Sequence, residues 1–225
     1  MELQKNPMLT AEEISEELSS KIEKLEFMPG DKISENELSA HYGVSRHVIR
    51  NALAELKSRR LVDVFPQRGT FVSLIDMELI ADILFMRVAI EQEAIARIIE
   101  MDDITMLVKN LKAASANQRN LDENTKNFNE KFYELDNEFH ALLLEAVGRP
   151  NVVNIVTDPY IHVRRFRNFE VRTIERMHEI LIEHENIIKA IENRDRVAAR
   201  KCMGIHIDTV GRGLDLKLKE SQYFI

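Results

Sequence analysis

The chain has 225 residues, enough for one sizeable domain or two smaller ones, and its formal net charge is −7. This acidity argues against a protein that coats nucleic acid without regard to sequence, since such proteins usually carry a broad basic surface. A single cysteine, Cys202, excludes a disulfide framework and a cysteine-rich zinc knuckle. The first ten residues contain no apolar run, and no window reaches the roughly 18 apolar residues of a membrane span, so we expect a cytoplasmic protein without a membrane partner.

The N-terminal region begins with two short helices that carry recognisable caps. Thr10 and Glu13 form a capping-box pattern, and an apolar stripe follows at helical spacing, which predicts a helix over residues 10–25. Ser34 is a suitable N-cap for a second helix over residues 35–41. The region therefore starts as a small helical domain.

The stretch that follows Gly43 predicts the element that reads DNA. Gly43 ends the preceding helix, and Ser45 is a good N-cap for the next one. Apolar residues recur at helical spacing on one face of this third helix, whereas Arg46, His47 and Arg50 lie on the other. Two helices joined by a tight turn, with cations in the first turns of the second, are typical of a helix-turn-helix that enters the major groove.

Two β-prone runs come next, at residues 61–65 and 69–72, with Pro66-Gln67-Arg68 between them. This pattern predicts a β-hairpin, or wing, with a cation near its tip. Between residues 44 and 72 there are only two acidic residues but six basic ones, which are Arg46, Arg50, Lys57, Arg59, Arg60 and Arg68. Positive charge is thus concentrated where DNA phosphates would lie.

Three motifs of this region have the spacing of a known family. They are Met28-Pro29-Gly30-Asp31-Lys32-Ile33-Ser34-Glu35, Gly43-Val44-Ser45-Arg46 and Arg68-Gly69-Thr70-Phe71-Val72. Together they resemble the winged-helix domain of GntR-family bacterial transcription regulators, from about residue 10 to residue 72. The resemblance implies DNA contacts from the recognition helix and the wing tip, namely from Ser45, Arg46, His47, Arg50, Arg68 and Gly69.

The sequence departs from the family's pattern at several of these positions. Asn36, which we include in the expected DNA surface, stands where many relatives have arginine. His47-Val48 replaces Thr-Pro, and Asn51 replaces glutamate. These departures leave the operator sequence open.

Almost everything after Asp76 predicts helix, because this part has only two prolines, Pro150 and Pro159, and little alternation of period two. We place helices near residues 76–101, 103–121, 125–147, 150–169, 173–193 and 194–219. The expected fold class is mainly α, with an N-terminal winged helix-turn-helix of three helices and a small β-hairpin, followed by an all-α bundle of about six helices. The expected domains are residues 1–72 and 77–225, with a linker at 73–76.

Three of the predicted bundle helices carry histidine on an apolar face. Asp136 and His140 lie at i, i+4 on the third, His184 lies on the fifth, and His206 on the sixth. Buried without partners, these groups would cost several kcal/mol together, and one divalent metal would give all four a partner. Three histidines and one aspartate suit Zn, Ni, Mn or Fe. The alternative is ordinary buried histidines with hydrogen-bond partners, which is the commoner case.

Further residues extend this pattern over about 76–219. Arg87 and Glu91 lie in the first bundle helix, and Asn151 follows Pro150. With the four residues above, they resemble the metal-binding subset of the FCD effector domain found in FadR-type GntR regulators. The resemblance implies a metal whose open positions receive a small carboxylate effector, with Arg87 as its second anchor, since an arginine fork and a metal both favour carboxylate oxygens. The alternative for Arg87 is a surface or interdomain salt bridge.

Two smaller features of the C-terminal region have simpler interpretations. Arg164, Arg165 and Arg167 form a basic cluster, which we interpret as a solvated helix face. Cys202 lies one turn before His206, and we interpret it as a small buried hydrophobe rather than a metal ligand.

The predicted function is a transcription regulator, usually a repressor in this family, that binds a pseudo-palindromic double-stranded operator as a homodimer and responds to a small organic acid. One alternative is a regulator in which the metal is itself the signal, or is structural, with no organic effector. The other is a metal-dependent enzyme, in which the metal would activate water. Against an enzyme, the sequence has no glycine-rich phosphate loop and no obvious general base beside the four residues. Effector, metal, operator and direction of the response stay open.

Overall fold

The computed structural model describes residues 9–169, 174–212 and 222–225, and within them the chain forms ten α-helices and three β-strands in two compact units. The first unit contains α1 (Ala11–Glu23), β1 (Lys32–Ile33), α2 (Glu35–Tyr42), α3 (Arg46–Ser58), β2 (Val62–Phe65) and β3 (Gly69–Val72). The later helices are α4 (Met77–Glu100), α5 (Thr105–Arg119), α6 (Phe128–Ala146), α7 (Pro150–Thr157), α8 (Ile161–Phe169), α9 (Ile174–Glu192) and α10 (Arg196–Arg212). They form the second unit, except that Met77 of α4 and residues 164–169 of α8 belong to the first. The mainly α fold class predicted from the sequence is confirmed.

The caps of the first unit form as the sequence predicted. The Thr10 hydroxyl accepts the N–H of Glu13, whose carboxylate accepts the N–H of Thr10 at 2.7 Å, which completes the capping box of α1. Gly43 ends α2 with a φ of 65°, a left-handed conformation that glycine adopts without a steric penalty. Ser45 caps α3, so the recognition helix starts where the sequence placed it.

Apolar faces of α1 and α3 form the core of the first unit, with side chains that are almost entirely buried: Ile14, Leu18, Ile22, Ile49, Leu53 and Leu56. These are the residues that recur at helical spacing in the sequence. Their burial leaves the opposite face of α3, with Arg46, His47 and Arg50, exposed.

The sheet of the first unit has three antiparallel strands in the order β1-β3-β2. The sequence predicted only the β2–β3 hairpin, whose strands pair Val62 with Val72 and Phe65 with Gly69. The third strand, β1, is only two residues long and pairs Lys32 with Phe71, so it is too short to show a period-two alternation. It adds an edge to the wing.

Residues 73–76, predicted as a linker, pair with the C-terminal residues inside the first unit. The N–H of Ile75 donates to the carbonyl of Tyr223 at 2.8 Å, and the N–H of Ile225 donates to the carbonyl of Ile75 at 3.0 Å. Ile75 and Phe224 form a parallel β-bridge, and both side chains are buried. The segment is thus held by backbone hydrogen bonds as well as by apolar packing.

The solvated arginine face expected on α8 is wrong. Arg165 is fully buried and donates to the hydroxyl of Ser73 at 3.0 Å and to its carbonyl at 2.7 Å. Arg164 contacts the carboxylate of Glu23 at 2.8 Å. The sequence suggested a solvated cluster because the acceptors lie far away along the chain. Ser73 is 92 residues from Arg165, and Glu23 is 141 residues from Arg164.

One helix that the sequence predicted after residue 76 is observed as two separate helices. The sequence predicted a single helix over residues 150–169, but α7 ends at Thr157 and α8 begins at Ile161. Pro159 lies in the break, where it has no N–H to donate and its ring would clash with a carbonyl of the preceding turn. The region after residue 76 therefore has seven helices in the described residues instead of about six. No helix among those residues is both long enough and apolar enough to cross a membrane.

Candidate metal centre and DNA-binding surface

The four residues predicted as metal ligands lie together in the second unit. Asp136 and His140 come from α6, His184 from α9 and His206 from α10, and one ligand atom of each lies within 4.8 Å of the others. All four side chains are buried, with residue exposures between 0 and 5%. The structure therefore brings together the whole predicted set, from three different helices.

The imidazole Nε2 atoms point toward one another and toward the aspartate. Nε2 of His140 lies 3.0 Å from Nε2 of His206. Nε2 of His184 lies 3.3 Å from Oδ1 of Asp136, and Nε2 of His140 lies 4.0 Å from its Oδ2. The ring of His184 is stacked on Phe139 with a centroid separation of 3.9 Å, which fixes its plane.

Every one of the three imidazoles has an oxygen acceptor at its other nitrogen. Nδ1 of His140 lies 2.5 Å from Oε2 of Glu91, Nδ1 of His206 lies 2.7 Å from Oε2 of Glu183, and Nδ1 of His184 lies 3.1 Å from Oε1 of Gln118. An ionised carboxylate cannot donate, so Nδ1 carries the proton in the first two rings. The amide oxygen of Gln118 faces Nδ1 of His184 and accepts from it in the same way. The Nε2 lone pairs are then left facing the centre of the cluster.

Two of these acceptors are held in turn by arginine. Nε of Arg87 donates to Oε1 of Glu91 at 2.5 Å, and both side chains are buried. Arg176 donates to both carboxylate oxygens of Glu183, at 2.9 and 3.1 Å. Two histidines thus share an arginine–glutamate–histidine arrangement, whereas His184 is supported by an uncharged amide.

Burial lowers the pKa values of His140 and His206 and so favours their neutral imidazole forms. Burial, with the neighbouring histidines, lowers the pKa of His206 to about 4, and burial, with the charge of Arg87, lowers the pKa of His140. Burial alone would raise the pKa of Glu91, but Arg87 and His140 outweigh it and bring that pKa to about 2. Neutral imidazole beside ionised carboxylate is the protonation state that a metal ligand set requires.

The donor set fits a metal ion by its chemistry as well as by its position. Oδ1 of Asp136 and Nε2 of His184 are buried and have no hydrogen-bond partner among the described residues. Buried polar atoms are normally bonded, so two orphans at one spot require an explanation. Three imidazole nitrogens and one carboxylate are ligands for a divalent transition metal, and Cys202 is not part of the group.

Sequence reasoning missed two residues of this arrangement. Gln118 on α5 carried no signal, because it contacts His184 across 66 residues and nothing local distinguishes it from a surface glutamine. Glu183 was visible only as the neighbour of His184, although it supports His206. Glu91 could be placed one turn after Arg87 by its i, i+4 spacing, but not against His140, 49 residues away.

Arg87, predicted as an effector anchor, lies buried beside the cluster. Besides its bond to Glu91, its guanidinium lies 4.5 Å from the centre of the Tyr160 ring. The cavity bordered by Arg87, His140 and Tyr160 has a volume of about 10 Å³, which is room for about one water molecule. Arg87 forms a salt bridge, but it is buried within α4 and is therefore neither the surface nor the interdomain bridge that the sequence analysis offered as the alternative.

The residues of the helices that the sequence predicts to bind DNA lie on the first unit. Arg46 and His47 are exposed in the first turn of α3, and Asn36 is exposed in the first turn of α2. Ser45 is the N-cap, with its hydroxyl 3.5 Å from the N–H of Val48. Arg50 is also exposed, and its Nε donates to Oε2 of Glu35 at 2.9 Å.

The predicted wing tip is the turn between β2 and β3. Arg68 is exposed, with its guanidinium 5.3 Å from the centre of the Phe65 ring. Gly69 has a φ of 112°, and a Cβ there would lie 3.1 Å from Cε of Lys32, so the turn favours glycine on two counts. The tip therefore combines a cation, an exposed aromatic ring and a glycine that permits the turn.

Comparison with known protein families identifies the family to which this chain belongs. Residues 10–72 match the family described as bacterial regulatory proteins of the gntR family, and residues 82–209 match the FCD domain. This protein is a GntR-family regulator with an FCD domain. The predicted family is thereby confirmed, and with it a DNA-binding transcription regulator rather than an enzyme.

Individual relatives agree with this assignment. The GntR-family regulator is 32% identical over 187 residues to an uncharacterised HTH-type transcriptional regulator of Streptomyces ambofaciens, covering 83% of this chain and 77% of that one. It is 27% identical over 202 residues to the HTH-type transcriptional repressor RspR of Escherichia coli K12, covering 87% and 85%. The fold matches the crystal structure of a putative GntR regulator from Rhodococcus sp. RHA1 with a TM-score of 0.66, at 20% identity, covering 91% and 98%.

Proposed function

We propose that this GntR-family regulator is a metal-containing repressor that binds a pseudo-palindromic operator as a homodimer, and that a small carboxylate at the metal centre controls its operator affinity. The observation that carries the metal centre is the convergence of three imidazole Nε2 atoms and the Asp136 carboxylate in one buried place. The action as a repressor follows the similarity to RspR, a transcriptional repressor.

Electrostatics support a metal more strongly than proximity does. With the proton on Nδ1 of each ring, three nitrogen lone pairs and a carboxylate face one another without a hydrogen between them. Such an arrangement is repulsive unless a cation lies at its centre. Asp136, His140, His184 and His206 would hold Zn, Ni, Mn or Fe, and the bound ion would offer its remaining coordination positions to an oxygen ligand.

Arg87 supports the carboxylate part of the proposal through its position. It lies behind Glu91, which supports His140, and it borders the small cavity that reaches this histidine. A carboxylate that bound the metal from this side would meet the guanidinium of Arg87, which is now paired with Glu91. Binding there would require the cavity to enlarge, because about 10 Å³ does not admit an organic acid.

That same cavity favours a second candidate, in which the metal itself is the signal. A centre with room for about one water beside it can bind an ion without any rearrangement of its surroundings. Operator affinity would then follow the metal concentration and would not respond to organic acids. In this case Arg87 acts only through Glu91 and has no ligand of its own.

The homodimer is supported by the needs of operator recognition and by two exposed apolar residues. One recognition helix reads one half-site, so a pseudo-palindromic operator requires two chains related by two-fold symmetry. In the second unit, the Phe85 side chain on α4 is 76% exposed, and Ile205 on the neighbouring helix α10 is 39% exposed. Burial of such side chains against a second copy would stabilise a dimer.

The deciding experiment is a thermal-unfolding titration of the metal-free protein, first with Zn, Ni, Mn and Fe and then, on the metal-loaded protein, with a panel of small hydroxy and dicarboxylic acids. We expect one metal to raise the melting temperature and one acid to raise it further, since ligand at 100 times its Kd adds about 2.7 kcal/mol. Operator binding is measured under the same conditions.

The outcomes separate the two candidates. An acid effect that requires the metal and disappears in Arg87→Ala supports carboxylate control, whereas a metal effect on DNA binding with no acid response supports the metal as signal. If no metal stabilises the protein and the Asp136→Ala variant melts like the wild type in every condition, the metal centre itself is excluded.

A further inference from the structure

An ion pair joins the recognition helix to the helix before it. Arg50 lies in the second turn of α3, and Glu35 is the first residue of α2. Nε of Arg50 donates to Oε2 of Glu35 at 2.9 Å, with side-chain exposures of 65% and 33%. Because the partners come from different helices of the helix-turn-helix, the contact orients the guanidinium relative to both of them.

The choice of donor atom matters for what Arg50 can bind. Glu35 takes only the Nε–H group, and within the described residues Nη1 and Nη2 of Arg50 contact no acceptor. These two groups form the outer edge of the planar guanidinium, and they donate together to O6 and N7 of guanine in the commonest specific contact between arginine and DNA. The pair therefore restricts the guanidinium while it leaves the base-reading edge available.

The charge of Glu35 has a second consequence. DNA phosphates attract an unpaired arginine at any sequence, and this attraction supplies most of non-specific binding. A carboxylate bonded to Arg50 neutralises it and repels a phosphate that approaches the same place. A guanine edge is uncharged, so contact with guanine does not bring a second negative charge toward Glu35.

We propose that Glu35 is a positioning residue for sequence reading, which orients Arg50 toward a guanine of the operator and disfavours its contact with phosphate. This inference rests on the proposed operator binding and adds a determinant of its specificity. Glu35 itself need not contact DNA.

The test compares Glu35→Ala and Glu35→Gln with the matched control Glu37→Gln, which removes an exposed carboxylate from the same first turn of α2. The probe is the duplex that the wild-type full-length protein enriches from a randomised DNA library, beside a scrambled duplex of equal length. We expect Glu35→Ala to lower the ratio of specific to non-specific affinity about tenfold and to relax the preference at one guanine position per half-site. Glu37→Gln should leave both unchanged.

Glu35→Gln separates the two parts of the proposal, because glutamine keeps an oxygen acceptor for Nε but has no charge. We expect it to retain the guanine preference while it raises binding to the scrambled duplex, with a salt dependence steeper by about one counterion. Equal melting temperatures of the variants confirm that they fold alike. An unchanged affinity ratio in Glu35→Ala, or an effect that persists when Arg50→Ala is already present, would overturn the proposal.

Failure of the underlying operator reading gives a different result. If the wild type enriches no sequence, or if Arg50→Ala keeps every base preference of the wild type, then Arg50 does not read a base. In that case the assignment of operator contacts fails, and the role of Glu35 fails with it. If Arg50→Ala loses the guanine preference while Glu35→Ala keeps it, only the role of Glu35 is excluded.

Discussion

The two candidate sites of this regulator use polar side chains in opposite ways. At the recognition helix, Arg46 and His47 stay exposed, and even the ion pair of Arg50 remains partly hydrated. At the candidate metal centre, Asp136 and the three histidines are buried, and the Nδ1 atom of each imidazole is hydrogen-bonded to a side-chain oxygen. The first site can exchange bulk water for DNA, whereas the second is shielded from bulk solvent.

This difference separates recognition from stability. Exposed side chains contribute little to folding, so the DNA-binding surface can change with small effects on the folded state. Buried polar groups are costly unless every one has a partner, so a metal bound at the candidate centre would couple folding to the presence of the ion. Substitutions should therefore divide into those that change DNA affinity alone and those that change the response of stability to metal.

The largest expected effect is the loss of metal stabilisation in His184→Ala. In the wild type, saturating metal should raise the free energy of unfolding by about 2.7 kcal/mol or more, equivalent to about 5–10 °C in melting temperature. His184 is one of the four converging ligands, so this metal-induced difference should nearly vanish. The measurement is the melting temperature with metal minus that after chelation, which cancels the intrinsic cost of the substitution.

A matched control is available on the same helix. His178 of α9 is exposed and is not part of the four-residue cluster, so His178→Ala should keep the full metal-induced shift. If His184→Ala also keeps it, the ion binds elsewhere, and the proposed division between the two units loses its basis.

Next in size is the effect of Arg46→Ala, which tests the other half of the comparison. Removal of an exposed arginine from the first turn of α3 should weaken operator binding about 10- to 100-fold, because one good contact to a base contributes about 1–3 kcal/mol. The melting temperature and the metal-induced shift should stay at wild-type values. Affinity is measured by titration of labelled operator, with Arg149→Ala in the second unit as the charge control. A parallel drop in stability would show that Arg46 acts through folding.

A smaller change should follow when the support of a ligand is altered and the ligand is kept. Gln118→Leu removes the acceptor of His184, and Glu183→Gln removes the charge behind His206; each should weaken metal binding about tenfold, at the lower end of such effects. Gln118→Glu is the informative counterpart, because it gives His184 the carboxylate support that the other two histidines have, although it loses the hydrogen bond that Nε2 of Gln118 donates to the carbonyl of Phe132. Metal affinity, measured by competition with a coloured chelator, should not fall in that variant. Equal losses in all three would mean that packing, and not hydrogen bonding, sets the affinity.

Most of the fold could be predicted from local sequence patterns. Caps at Thr10, Ser34 and Ser45 and a helical period of apolar residues are visible in a short window, and the helices that they predict are present. The predictions failed where a short strand or a single side chain depends on a partner that is distant in the sequence. Strand β1 exists because β3 lies beside it, and Arg165 is buried because Ser73 meets it.

The candidate metal site shows the same difference between residues that local spacing predicts and residues that only long-range packing brings together. The spacing of Asp136 and His140 is local, so their common direction followed from helix geometry. His184 and His206 joined them only through the packing of α9 and α10, which the family pattern implied and spacing alone left open. Gln118 had neither kind of signal, since its role is defined entirely by a contact with a residue 66 positions away.

The smallest effect belongs to Ser45, where DNA recognition and helix stability would depend on the same hydroxyl. Its hydroxyl caps α3 through a long contact of 3.5 Å, so Ser45→Ala should lower stability by about 0.5 kcal/mol, at the low end for N-caps. If the hydroxyl also contacts DNA, operator affinity should fall as well. Ser45→Asp separates the two roles, because aspartate is an equally good cap but places a negative charge against phosphate. Stability near wild type with weaker operator binding in Ser45→Asp, by thermal unfolding and DNA titration, would confirm that the cap faces DNA. Undiminished binding would place Ser45 among residues that only build the helix.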